Sequence, residues 1–248
     1  MARLVLIHGA FVGAWKWERL ATVLEAAGHS VEAPDLPGSG ADQTPVEAVT
    51  LDAYVERVKA QLDERDEPAV LVGHSMGGVV ATQVAARYPE RVEAIVYMAA
   101  FAPADGQSLV DLTGLPEAQG DEIQANMVVE GAPPVARMSP EAARSASYSG
   151  CSDEDIAWAV PRHRPQPLAP FTQAVAIPDG AFDAISRSYV VCTGDRAIPA
   201  ALQRRMATDS GIDEVVELDS DHSPQLSRTA ELAEAIDRLA SLEPSAAG

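Results

Sequence analysis

The run Gly73-His74-Ser75-Met76-Gly77 fits G-x-S-x-G and falls between the apolar stretch Val70-Leu71-Val72 and the helix-like stretch Gly78-Val79-Val80-Ala81. In that setting the pattern has a mechanical meaning. Its glycines permit a tight strand-to-helix turn that holds the serine hydroxyl above the sheet, and the helix N-terminus behind it favours developing negative charge. Ser75 is therefore read as a nucleophile. A serine hydroxyl is weak at neutral pH, so a base must take its proton during attack and later return one to the leaving group. Among the 5 histidines, only His222 lies in a loop between a late strand pattern, Glu214 to Leu218, and a terminal helical pattern. That is the place of the base where the chain order is serine, acid, histidine.

The imidazole needs a carboxylate to hold its tautomer and stabilise the imidazolium. Asp195 ends the apolar strand pattern Tyr189-Val190-Val191-Cys192-Thr193 and so reaches the same sheet edge as Ser75. Asp105, after the fourth strand, is the alternative position. Asp221 adjoins His222, but its side chain is expected to point elsewhere. Charge developing on a carbonyl oxygen calls for backbone donors. The N–H of Met76 follows the nucleophile, and the loop His8-Gly9-Ala10-Phe11 after the first strand offers the N–H of Ala10. His8 and His74 are read as structural. Phe11, Met76 and Trp158 are expected to line an apolar pocket.

These residues need a scaffold, and the alternation of apolar runs with helical spacing supplies one. Strands are expected at Leu4 to Ile7, His29 to Ala33, Ala69 to Val72, Val92 to Ala100, Ser188 to Thr193 and Glu214 to Leu218. Helical patterns run through Trp17 to Ala27, capped by Gly28, then Leu51 to Leu62, Met76 to Tyr88, Pro199 to Ser210, and Ser223 to Leu242. The tail Glu243 to Gly248 is expected to fray. Together they imply an α/β fold: a mostly parallel, twisted sheet of about six strands flanked by helices. The rhythm breaks from Phe101 to Asp183, so residues 102–183 are read as a mainly helical cap inserted into a core of 1–101 and 184–248. Asp153 to Val160, behind the N-cap Ser152, is its clearest helix.

Composition narrows the partners. A net charge of −19 disfavours nucleic acid and anionic lipid, and no apolar run is long enough to span a bilayer. The N-terminus runs directly into the first strand pattern without a secretory signal, which points to the cytoplasm. Cys151 and Cys192 are expected to be reduced. No metal-ligand spacing occurs, and Gly38-x-Gly40 is too short for a dinucleotide fingerprint, so no cofactor is expected. A homodimer stays open as the assembly state.

The motifs together resemble the plant methylesterase and hydroxynitrile lyase branch of the α/β-hydrolases. The resemblance rests on His8-Gly9-Ala10, Gly13-Ala14-Trp15, Trp17, Gly28-His29-Ser30-Val31, Asp35-Leu36 with Gly38 and Gly40, and Gly73 to Gly78. It continues through Cys192-Thr193-Gly194-Asp195, Ile198-Pro199 and Asp221-His222. It implies the α/β-hydrolase fold, the same three catalytic residues and both oxyanion donors. Lyases of this branch carry threonine where this chain has Ala10, and lysine where it has Ser223, so the resemblance implies an esterase of small apolar or aromatic esters. A carbon–carbon or ring-forming lyase is the second reading. A ligand receptor that retains the three residues is the third.

Overall fold

The computed structural model describes residues 1–178, 180–212 and 214–241. The strands are β1 (Arg3–Ile7), β2 (Ser30–Glu32), β3 (Ala69–Ser75), β4 (Val92–Ala100), β5 (Val128–Glu130), β6 (Val135–Arg137), β7 (Gln166–Pro167), β8 (Ser186–Cys192) and β9 (Glu214–Leu218). Six of them form one parallel sheet in the order β2-β1-β3-β4-β8-β9. Chain order reverses direction between β1 and β3. In open parallel sheets the crevice beyond the carboxyl ends of such neighbours is where ligands bind. Ser75 ends β3 at that point, and the loop carrying Ala10 leaves β1 beside it.

The helices are α1 (Glu18–Ala26), α2 (Leu51–Leu62), α3 (Gly77–Arg87), α4 (Leu109–Thr113), α5 (Glu122–Asn126), α6 (Pro140–Ser147), α7 (Asp153–Ala159), α8 (Ala169–Thr172), α9 (Ala200–Asp209), α10 (Pro224–Ser227) and α11 (Thr229–Ala240). Strand residues alternate between two cores. Leu4, Leu6, Val70 and Val72 pack with Leu20 and Leu24 of α1 and Leu232 and Ile236 of α11. Val5, Ile7 and Leu71 face the opposite way, against Tyr54 and Val58 of α2, Val80 and Val84 of α3, and Leu202 and Met206 of α9. Central strands buried on both faces need continuous apolar runs, which β1 and β3 have. Gly28 follows α1 at φ +97°, in the left-handed region expected of it. Among the described residues, no helix is long and apolar enough to cross a membrane.

Three local readings are corrected. The expected terminal helix is broken into α10 and α11, because Arg228 leaves helical geometry (φ −140°, ψ 45°) and its guanidinium reaches the Asp219 carbonyl. Its expected end at Leu242 and the tail 243–248 lie outside the described residues. The second strand is three residues long, shorter than His29 to Ala33. Between β4 and β8 the chain builds not only α4 to α8 but also a three-stranded antiparallel sheet, β5-β6-β7. These strands are two or three residues long, too short for periodicity to register.

One charge is buried where the first loop meets the inserted segment. Lys16 is 2% exposed, with Nζ 5.2 Å from the ring centroid of Tyr148, and among the described residues it forms no ion pair. Burial pushes its ammonium down to about 8, partly offset by attraction to Asp221 and Asp195. The charged form is therefore penalised in the folded chain relative to the unfolded one. That penalty is fully present below pH 8 and is relieved as pH rises from there towards the ordinary lysine value.

Two stability predictions follow from this packing. A Cβ on Gly77 would lie 2.3 Å from the Ile7 carbonyl oxygen. Gly77→Ala should therefore cost about 1–3 kcal/mol in urea unfolding; an unchanged midpoint would show that the end of β1 yields freely. Lys16→Met should stabilise the protein at pH 7 by up to about 3 kcal/mol, and the gain should shrink between pH 8 and pH 10. A gain that is flat across that range would refute the buried-charge account.

Candidate active site

Ser75 occupies the junction of β3 and α3 with φ +56°, a conformation that costs a residue with a Cβ about 1–3 kcal/mol and persists only where its surroundings enforce it. The surroundings are close-packed backbone. Built Cβ atoms on Gly77 and Gly78 would each lie 2.3 Å from a carbonyl oxygen, of Ile7 and Phe101 respectively, so the start of α3 is wedged between the ends of β1 and β4. A Cβ on Gly9 would come within 2.8 Å of Ser75 Cβ. The Ser75 carbonyl accepts from Phe101 N at 3.0 Å. Ser75 is 7% exposed and opens onto a cavity.

His222 and Asp195 meet although 27 residues separate them: His222 Nδ1 donates to Asp195 Oδ2 at 2.8 Å, and both side chains are buried. With Nδ1 as donor, Nε2 is left unprotonated and can accept a proton. The Asp195 carboxylate has three further donors. Ala197 N and Ile198 N reach Oδ1 at 2.7 and 2.9 Å, and Gln203 Nε2 reaches Oδ2 at 3.0 Å. Gln203 also accepts from Cys192 N and donates to Ile198 O, which pins the turn carrying Asp195 to the end of β8. Asp221 does point elsewhere, accepting from Gly150 N, Ser223 N and Ser227 Oγ. Asp105 is exposed and accepts from Ile177 N, beside a different cavity.

The structure ties the serine turn to the histidine loop through backbone and ring. His74 Nε2 donates to the His222 carbonyl at 2.8 Å, and the two rings lie 4.6 Å apart. Burial first, then the nearby Lys16 charge, push the His74 imidazole well below its ordinary value, so it is neutral and acts as a strut. Ser75 Oγ makes no hydrogen bond to His222 or to any other described residue. Such contacts commonly tighten only with substrate in place.

The N–H of Ala10, on the facing loop, and that of Met76, which follows Ser75, donate to no acceptor among the described residues, and both residues line the cavity with Ser75. His8 shapes this loop: Nε2 accepts from Leu36 N at 3.0 Å, so Nδ1 donates to Gly9 O at 2.8 Å. Phe11 takes φ +66° and is held from the inserted segment, where Gln166 Oε1 accepts from Phe11 N at 3.4 Å and Arg164 N donates to Phe11 O at 2.9 Å.

The cavity measures about 490 Å³ including its open mouth, and Phe11, Met76, Phe101, Leu109, Phe171 and Ile198 contribute to its apolar wall. Trp158 is a correction. It does not line this cavity but stacks edge-on against Trp15 at 5.1 Å, with the Arg162 guanidinium 4.7 Å over its ring. An amphipathic cap helix offers a large aromatic its own small core, here with Tyr148 and Ile156, and the indole takes that partner. Asp121 and Gln203 escaped sequence reasoning. Asp121 sits in a stretch without periodicity, and Gln203 on a helix reads as an ordinary polar residue. Among the described residues no group of three His, Cys, Asp or Glu could hold a metal ion.

Comparison with known proteins gives the family of the chain. The chain is 32% identical to methylesterase 7 of Arabidopsis thaliana over 93% of each chain, and 31% identical to an alpha-hydroxynitrile lyase of the same plant over 95% of this chain and 96% of that one. A solved pyrethroid hydrolase from Sphingobium faniae JZ-2 superimposes with a TM-score of 0.87 at 26% identity, over 96% of this chain and 97% of that one. The model of the alpha/beta hydrolase family matches residues 4–235, and on that match the chain belongs to the family.

Proposed function

We propose that this protein is a carboxylic ester hydrolase that cleaves small, apolar or aromatic esters through an acyl-enzyme on Ser75. The observation that carries the reading is the Asp195–His222 hydrogen bond, held against the strained Ser75 turn by the His74 strut. Ser75 Oγ attacks the ester carbonyl as His222 Nε2 takes its proton. Asp195 stabilises the imidazolium without accepting that proton. The oxyanion is met by the free N–H groups of Ala10 and Met76. Collapse expels the alcohol, which receives the proton from His222. A water, activated by the same imidazole, then cleaves the acyl group from Ser75 and restores the hydroxyl.

The apolar wall of the cavity supports small esters with an apolar body. Similarity to the methylesterase supports hydrolysis, whereas similarity to the lyase supports cleavage of cyanohydrins as the second reading. Ser223 argues against the latter. It is uncharged and fully buried, and its hydroxyl donates to the Ser147 carbonyl, so it offers no cation to a departing cyanide. Free Cys151 and Cys192 support the cytoplasm as the compartment.

A fluorophosphonate should label the protein at Ser75, and short-chain aryl esters should be turned over. Ser75→Ala and His222→Ala should each lower kcat by at least ~10³-fold while leaving the fold intact by circular dichroism. A folded protein that neither labels nor cleaves any ester would sink the hydrolase reading. Aldehyde release from a cyanohydrin without ester cleavage would install the lyase in its place.

A further inference from the structure

The cavity that receives the substrate is apolar except at one place. Four of its lining residues have polar side chains: Ser75, Thr113, Asp121 and Gln124. Thr113 Oγ1 donates to Val110 O, and Gln124, which is exposed, donates through Nε2 to Thr113 O. Asp121 differs. Its Oδ1 accepts from Gln124 N at 2.9 Å, as the N-cap of α5, the Ile123 N–H also stabilises the carboxylate, and no side chain among the described residues pairs with Oδ2. The residue is only 9% exposed, and burial raises its carboxyl to about 6, so at neutral pH a charge is held in an apolar wall. Its position is fixed as well: Asp121 N donates to Ala118 O, and Glu122 N donates to Arg196 O, next to the Asp195 turn.

An acceptor that opens on an apolar cavity is one a ligand donor can pair with. Cavities of this kind use a few placed polar groups to orient ligands that are otherwise held by apolar contact. We propose that Asp121 is the specificity-determining acceptor of this site, and that preferred substrates are small esters whose apolar body carries a hydrogen-bond donor, a hydroxyl or an ammonium. The inference rests on the ester-hydrolase reading. A protonated amine would make a charge-assisted bond to Oδ2 and a hydroxyl a weaker one.

The test compares three methyl esters of similar size: methyl phenylacetate, methyl 4-hydroxyphenylacetate and methyl 4-(aminomethyl)phenylacetate. Asp121→Asn keeps an N-cap of equal quality but, with its one oxygen on Gln124 N, turns an NH2 donor to the cavity, and Asp121→Leu removes cap and acceptor together. The wild type should prefer one or both donor-bearing esters over methyl phenylacetate by about tenfold or more, chiefly through KM. Asn and Leu should each abolish both preferences, read within each variant as the ratio of a donor-bearing ester to methyl phenylacetate. A response of the ammonium arm alone identifies a cationic substrate, and of the hydroxyl arm alone a neutral one. Where turnover is slow, protection of Ser75 from fluorophosphonate by benzylamine, relative to toluene, gives the same contrast. Ratios that stay within about twofold across wild type, Asn and Leu, in a protein that still labels at Ser75, would overturn the inference and leave Asp121 as a helix cap. Failure to label would instead overturn the hydrolase reading beneath it.

Discussion

Everything at this site depends on how closely α3 approaches the ends of β1 and β4. The start of the helix lies so near the carbonyls of Ile7 and Phe101 that no side chain fits at Gly77 or Gly78. That contact sets the sharpness of the turn and so the left-handed backbone of Ser75. It also brings the loop after β1 against the serine, since Gly9 touches Ser75 Cβ. Ser75 and two N–H groups without acceptors among the described residues are thereby gathered by backbone packing alone, which lacks the rotamer freedom of side chains.

Asp195 and His222 arrive by a different device. Their loops follow β8 and β9, outside the tight contact, and are fixed by polar bonds rather than by close packing. Asp195 collects two backbone donors, an amide and an imidazole, and Gln203 ties the same turn to the strand that precedes it. A buried carboxylate so surrounded stays oriented, which a histidine partner requires. The backbone-built half and the polar-built half are joined by one neutral ring, His74.

The sequence made the first half legible because its requirements are local: glycines at fixed offsets, an apolar run before them and a helical one after. His222 and Asp195 were legible through their places at strand ends. Asp105 could be set aside only once its bond to Ile177 N was visible. The inserted segment was not legible to the same degree. Its strands are too short to show a period, and the burial of Lys16 and Asp121 is decided by which segments happen to cover them. Trp158 shows the same limit, since a tryptophan on a cap helix satisfies the pattern of pocket wall and of private core equally well. The break at Arg228 was hidden because Pro224 is compatible with the first turn of a helix.

The bonds that hold Phe11 carry a further meaning. Both come from the stretch Arg164 to Gln166, which leads into β7, and the amide of Gln166 also grips Tyr54 Oη on α2. The loop that presents Ala10 is thus bound to the inserted segment, which Arg164 Nη1 also ties to the Gly40 and Asp42 carbonyls. The backbone angle of Phe11, and with it the direction in which the Ala10–Phe11 loop faces Ser75, is therefore set from outside the sheet, so substitutions in the inserted segment reach the site through a backbone it does not itself contain.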